Sequence, residues 1–69
     1  MANMDLNHAN ELYKSERYKE YMSYCLSFEE IEDGEALLNM GICYFYGRGV
    51  GKDIEKAKAC FEKATKKDF

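Results

Sequence analysis

The chain has no proline, no tryptophan, one histidine and three cysteines among its 69 residues, and each scarcity closes off a class of protein. Without proline the commonest interruption of a helix is gone, and no Ser/Gly-rich stretch offers a linker, so a single domain over residues 1–69 is expected. With His8 as the sole histidine, no Ser/His/Asp set and no His/Cys cluster of zinc spacing can be assembled, and no D-x-D-x-D-G calcium loop occurs. His8 lies in a polar part of the first predicted helix and reads as solvent-facing. No catalysis, metal or cofactor is therefore expected. Cys25, Cys43 and Cys60 are too few for a disulfide scaffold, include no C-x-x-C pair and cannot all pair with one another. They read as buried, reduced thiols of a cytosolic protein. Long hydrophobic runs are missing too. The longest, Ala36 to Tyr46, falls short of the roughly 20 residues that cross a bilayer, and the opening Met-Ala-Asn-Met-Asp carries no basic region followed by an apolar stretch. A cytoplasmic protein without membrane contact is expected.

Ten basic and thirteen acidic residues give a net charge of −3, the wrong sign for a binder of phosphate backbones, so nucleic acid is not an expected partner. Residues 1–34 hold three basic and eight acidic groups, and residues 35–69 hold seven and five. The two halves carry opposite net charge, which makes head-to-tail stacking of copies conceivable. The densest acidic stretch, Glu29, Glu30, Glu32, Asp33 and Glu35, falls where a helix should end and reads as solvated loop charge.

Apolar residues recur at helical spacing in four places. The first helix is expected from an Asp5 N-cap to about Lys14, with Leu6, Ala9, Leu12 and Tyr13 apolar. Ser15 and Glu16 break it. The second runs from about Arg17 to Ile31 on a stripe of Tyr18, Tyr21, Cys25 and Phe28, widened by Met22, Tyr24 and Leu26; Glu32-Asp33-Gly34 then turns the chain. A third, about Glu35 to Tyr46 and capped by Asp33, is apolar nearly all round except at Asn39, so it must be covered on several sides. Leu37, Met40, Gly41 and Tyr44 share one of its faces; Leu38, Ile42, Phe45 and Tyr46 share the other. The fourth follows an Asp53 N-cap and ends near Lys66, with Ile54, Ala57, Phe61 and Ala64 in a narrow apolar line and lysines near its negative end.

Between the last two helices lies Gly47-Arg48-Gly49-Val50-Gly51-Lys52-Asp53. A phosphate loop would need glycine where Tyr46 stands and Ser or Thr where Asp53 stands, and a dinucleotide fingerprint would need glycine at Lys52 after a strand. The glycines instead suit a tight turn, with Val50 as an apolar peg holding the loop to the hairpin.

The run Ala36-Leu37-Leu38-x-x-Gly41-x-x-Tyr44-x-x-Gly47-x-Gly49-Val50-x-x-Asp53-x-x-Lys56-Ala57-x-x-x-Phe61-x-Lys63-Ala64 resembles the Sel-one-like repeat of the tetratricopeptide superfamily, over about residues 35–66. Its diagnostic part is the G-x-G-V-x-x-D loop between the Gly/Tyr helix and the Lys-Ala helix. The resemblance implies that Gly41 and Ala57 allow close helix approach and that Ala64 leaves space for a neighbour, while Tyr44 and Phe61 fill the crevice. Over about residues 5–31 the chain looks like a degenerate tetratricopeptide hairpin, with Ala9 at the small position, Leu12 packing and Tyr18 opening the second helix. Tyr21 stands where the family places a small residue, so it either splays this hairpin or fills a gap. The implied fold is all-α: two antiparallel helix hairpins, four helices, forming a fragment of a right-handed superhelix.

The resemblance also implies a binding module whose partner, a protein or peptide, lies in the concave groove lined by the first helix of each pair. That groove would comprise Leu6, Asn10, Tyr13 and Lys14 with Leu38, Ile42, Phe45 and Tyr46. Leu38 and Ile42 suit core as well as groove, whereas the phenols of Tyr13 and Tyr46 call for water or a partner. Repeat arrays need about three units for a continuous core, so apolar surface should remain, to be covered by a partner or by homo-oligomerisation. The functional expectation is a non-catalytic adaptor or scaffold. The alternative is a small inhibitor that blocks another protein's basic surface with the acidic segment from Glu29 to Glu35.

Overall fold

The structure, a computed structural model, describes residues 4–67. Four α-helices follow in chain order: α1 Leu6–Lys14, α2 Tyr18–Leu26, α3 Gly34–Tyr46 and α4 Ile54–Lys66, with no strand among the described residues. Three of them start at an aspartate whose carboxylate accepts hydrogen bonds from otherwise orphaned backbone N–H groups. Asp5 accepts from Asn7 and His8 (3.0 and 3.2 Å), Asp33 from Ala36 (2.9 Å) and Asp53 from Lys56 (3.1 Å). α2 starts at Arg17 without a side-chain cap.

α1 and α2 are joined by a tight turn in which Glu16 adopts φ +60° and the Arg17 N–H reaches back to the Leu12 carbonyl at 2.9 Å. α2 then ends at Leu26, five residues short of the Ile31 expected from periodicity. The Ser27 hydroxyl donates to the Tyr24 carbonyl at 2.6 Å, and the Phe28 N–H bonds Cys25 in a tightened last turn at 3.2 Å. Extending the helix would also have set Glu29 and Glu30 against its negative end. Residues 30–33 cross to α3 without helical structure, and Ile31 packs on the core from there.

α3 and α4 form the most extensive helix pair, α1 and α2 the second, and α2 bridges to α3. Across these contacts Ala9 and Leu12 of α1, Tyr21, Met22 and Cys25 of α2, Met40, Cys43 and Tyr44 of α3, and Ala57 of α4 form one buried cluster. Tyr21 is fully buried and its hydroxyl donates to the Ala36 carbonyl at 3.4 Å in the first turn of α3. It fills the space between the hairpins. Leu6 shares a hollow with Asp33 at the start of α3, while Tyr13 lies near Cys43 towards its end. The start of α1 thus lies near the start of α3, and its end near the end of α3.

One member of the expected line on α4 is not in the core. Ile54, in the open first turn and at the edge of the stripe, is 45% exposed, while Ala57 and Ala64 are buried and Phe61 half-buried. No helix is long and apolar enough to cross a membrane among the described residues.

Candidate functional site

The candidate site is centred on the more exposed side of α3. At about 100° per residue, Leu37, Met40 and Tyr44 cluster on one side of the helix and Leu38, Ile42, Phe45 and Tyr46 on roughly the opposite one. The first set is buried; of the second, Leu38 and Ile42 are half-buried, Phe45 is 42% exposed and Tyr46 62%. On α1, Leu6 and Lys14 are exposed and Asn10 and Tyr13 half-buried.

Leu6, Tyr13, Phe45 and Tyr46 fall into two groups. At one end Leu6 lines the hollow with Met4, Ile31 and Asp33. At the other, the Tyr13 ring meets Tyr21 at 5.0 Å and Tyr18 edge-on at 5.4 Å, and Phe45 meets Tyr46 edge-on at 5.0 Å. Arg48 joins the two hairpins there. Its guanidinium carbon stands 5.4 Å from the Tyr18 ring centre and 5.1 Å from that of Tyr46, a double cation–π contact. Burial holds the Tyr13 hydroxyl above its ordinary pKa, with the neighbouring Arg48 charge pulling the other way. The result is an exposed guanidinium held between the Tyr18 and Tyr46 rings, beside Tyr13, at the end of α3. It can donate to a carboxylate or a carbonyl while the rings offer apolar contact. Arg48 and Tyr18 were not legible as site residues. Arg48 sits in a glycine-flanked loop, and its direction depends on the left-handed conformation of Gly47.

That loop is set by backbone geometry. Gly47 ends α3 at φ +71°, the Arg48 N–H bonds the Cys43 carbonyl at 2.8 Å and the Asp53 N–H bonds that of Tyr44 at 2.9 Å, which satisfies the helix end. Gly49 has φ +74°, and a Cβ there would collide with the Tyr18 carbonyl and, at 2.5 Å, the Lys19 amide nitrogen. The loop therefore rests on the first turn of α2, and Val50 packs half-buried against the core. Tyr44 is buried and Lys56 lies 5.6 Å above its ring. Nothing in these contacts presents a nucleophile: burial pushes the Cys25 and Cys43 thiols up to about 11. His8 is exposed and stands edge-on to Tyr24 at 4.7 Å. Of the acidic segment, Asp33 caps α3, while Glu29, Glu30, Glu32 and Glu35 are exposed.

A hairpin of two 13-residue helices, closed by a glycine loop that docks on the preceding hairpin, is the unit of a helical-repeat protein. A model of the Sel1 repeat family matches residues 34–69, more than half of the chain, and the chain belongs to that family. No match is found among curated proteins or among solved structures. Sel1 repeats are generally protein–protein interaction modules, and the family is typically non-catalytic.

Proposed function

We propose that this chain is an adaptor or scaffold module that holds a protein or peptide along the face formed by α1 and α3. Leu6, Asn10, Tyr13 and Lys14 form one wall, Leu38, Ile42, Phe45 and Tyr46 the other, and Arg48 closes one end. The observation that carries this reading is the exposure of Phe45 and Tyr46 beside a guanidinium held by two rings. Rigid aromatic and arginine anchors are the side chains that dominate binding energy at protein interfaces. The face suits a helix or extended segment with apolar anchors and a carboxylate near the Arg48 end. Free thiols at Cys25, Cys43 and Cys60 suit a reducing compartment, which supports a cytoplasmic setting. A second copy is the other occupant this face admits.

The test is capture of partners on immobilised protein, comparing wild type with Tyr46→Ala and Arg48→Ala. Both should lose the captured partner, Tyr46→Ala with a melting temperature close to that of wild type because its side chain is exposed, and Arg48→Ala with a modest drop because it also gives up its contacts to Tyr18 and Tyr46. A Tyr46→Ala protein that melts much earlier yet binds normally would assign Tyr46 to the core and overturn the reading.

A further inference from the structure

We propose a second docking groove, on the opposite side of α3 from the face just described, that takes an acidic amphipathic helix of a partner protein. The inference does not rest on the first site and shares none of its residues.

The premature end of α2 opens this groove. Where the helix would have continued, the chain turns away after Leu26, and a groove of about 670 Å³ lies between the 28–31 segment and α4. Its floor is α3 at Leu37, Met40 and Tyr44, themselves almost fully buried, and its accessible apolar lining is Leu26, Phe28 and Ile31. Leu37 to Tyr44 spans seven residues, about 10 Å or two helical turns. That length accommodates apolar anchors spaced i, i+3/i+4 and i+7 on an incoming helix.

The charge of the rims selects the occupant. Lys56, Lys63, Lys66 and Lys67 line the α4 side, and Glu29 and Glu30 the other. On a chain whose net charge is −3, this is a local excess of positive charge running the length of the floor. A helix with carboxylates flanking its apolar stripe is attracted along α4, and a lysine-flanked helix is repelled there. A second copy pairing groove to groove would also match opposite rims, but two concave surfaces leave a void between their floors.

Cys60 reports occupancy. It is the half-buried thiol of the groove wall, whereas Cys25 and Cys43 are fully buried. The probe is a synthetic helical peptide with leucines at alternating three- and four-residue spacing and glutamates on both flanks. Its control carries lysines in place of the glutamates. With the whole chain, the acidic peptide should bind by fluorescence anisotropy, more weakly as salt rises, and should slow alkylation of Cys60 read by mass spectrometry. Lys63→Glu with Lys66→Glu should weaken it about tenfold while the chain stays folded, its melting temperature lowered because both lysines sit in the last turn of α4, and Tyr46→Ala should leave it unchanged. Three results would overturn the proposal: equal binding of the lysine peptide, binding without protection of Cys60, or indifference to the double charge reversal. So would protection of Cys60 that rises with protein concentration and resists the peptide, which would make a second copy the occupant.

Discussion

Gly41 lacks a side chain because Phe61 occupies the place of one. A Cβ there would lie 2.5 Å from Cε1 and 2.7 Å from Cδ1 of the ring. Gly41→Ala gains about 1 kcal/mol of helix propensity and loses about 1–3 kcal/mol to overpacking. The expected net is a loss of about 1 kcal/mol in urea unfolding, and Phe61→Leu in the same chain should return most of it. A double-mutant cycle without coupling between positions 41 and 61 would contradict this contact. The buried thiols make a second prediction. Cys25 and Cys43 are raised by burial from 9.0 to about 11, so the folded chain holds their protons where the unfolded chain has released them. Their contribution is complete below pH 9 and lost as pH rises through 11, about 3 kcal/mol for each thiol on an order-of-magnitude scale. Buried Tyr21, shifted further upwards by the same cause, adds to this loss above pH 10. Unfolding followed by circular dichroism should steepen between pH 9 and 11, and Cys43→Ala should reduce the slope by about one proton.

The elements were largely legible because their signals are local. Asp5, Asp33 and Asp53 mark helix starts by their own side chains, and the spacing that divides α3 into Leu37, Met40, Gly41 and Tyr44 against Leu38, Ile42, Phe45 and Tyr46 matches their burial. The end of α2 was not legible, since Phe28 and Ile31 continue the apolar spacing while the Ser27 hydroxyl diverts the backbone. Nor was the role of Arg48, which depends on where the loop comes to rest. The loop itself yields a sharp comparison between two glycines. Gly49 has φ +74° and a backbone neighbour where a Cβ would be; Gly51 has nothing within 4 Å. Gly49→Ala should cost about 2–4 kcal/mol, from the left-handed conformation and the collision together, and Gly51→Ala should stay within about 0.5 kcal/mol of wild type. Equal thermal shifts for the two would mean that the loop does not rest on α2. Glu16 offers the converse. Its φ of +60° makes Glu16→Gly a stabilising change of about 0.5–1 kcal/mol, the left-handed penalty relieved exceeding the entropy that glycine adds to the unfolded chain.

At the scale of the molecule, two hairpins share one core, and Tyr21 is where they meet. It reaches α3 and bonds the Ala36 carbonyl, so an aromatic ring fills the space between the hairpins. α3 has Met40, Cys43 and Tyr44 in the cluster that Tyr21, Met22 and Cys25 cover, which means the Sel1 repeat does not bury its own helix unaided. A core of this size supplies roughly 3–5 kcal/mol, and truncating a buried aromatic to alanine costs about the same. Tyr21→Ala should therefore unfold both hairpins together. The expected reading is loss of helical circular dichroism across the whole chain, with Cys43 and Cys60 alkylated at similar rates. Tyr21→Phe, which removes only the long bond to Ala36, should cost about 1 kcal/mol or less and stay folded. If Tyr21→Ala kept about half of the helical signal and left Cys43 protected, α3 and α4 would be an autonomous unit. The first hairpin would then be an attachment to the repeat, with no necessary part in its fold.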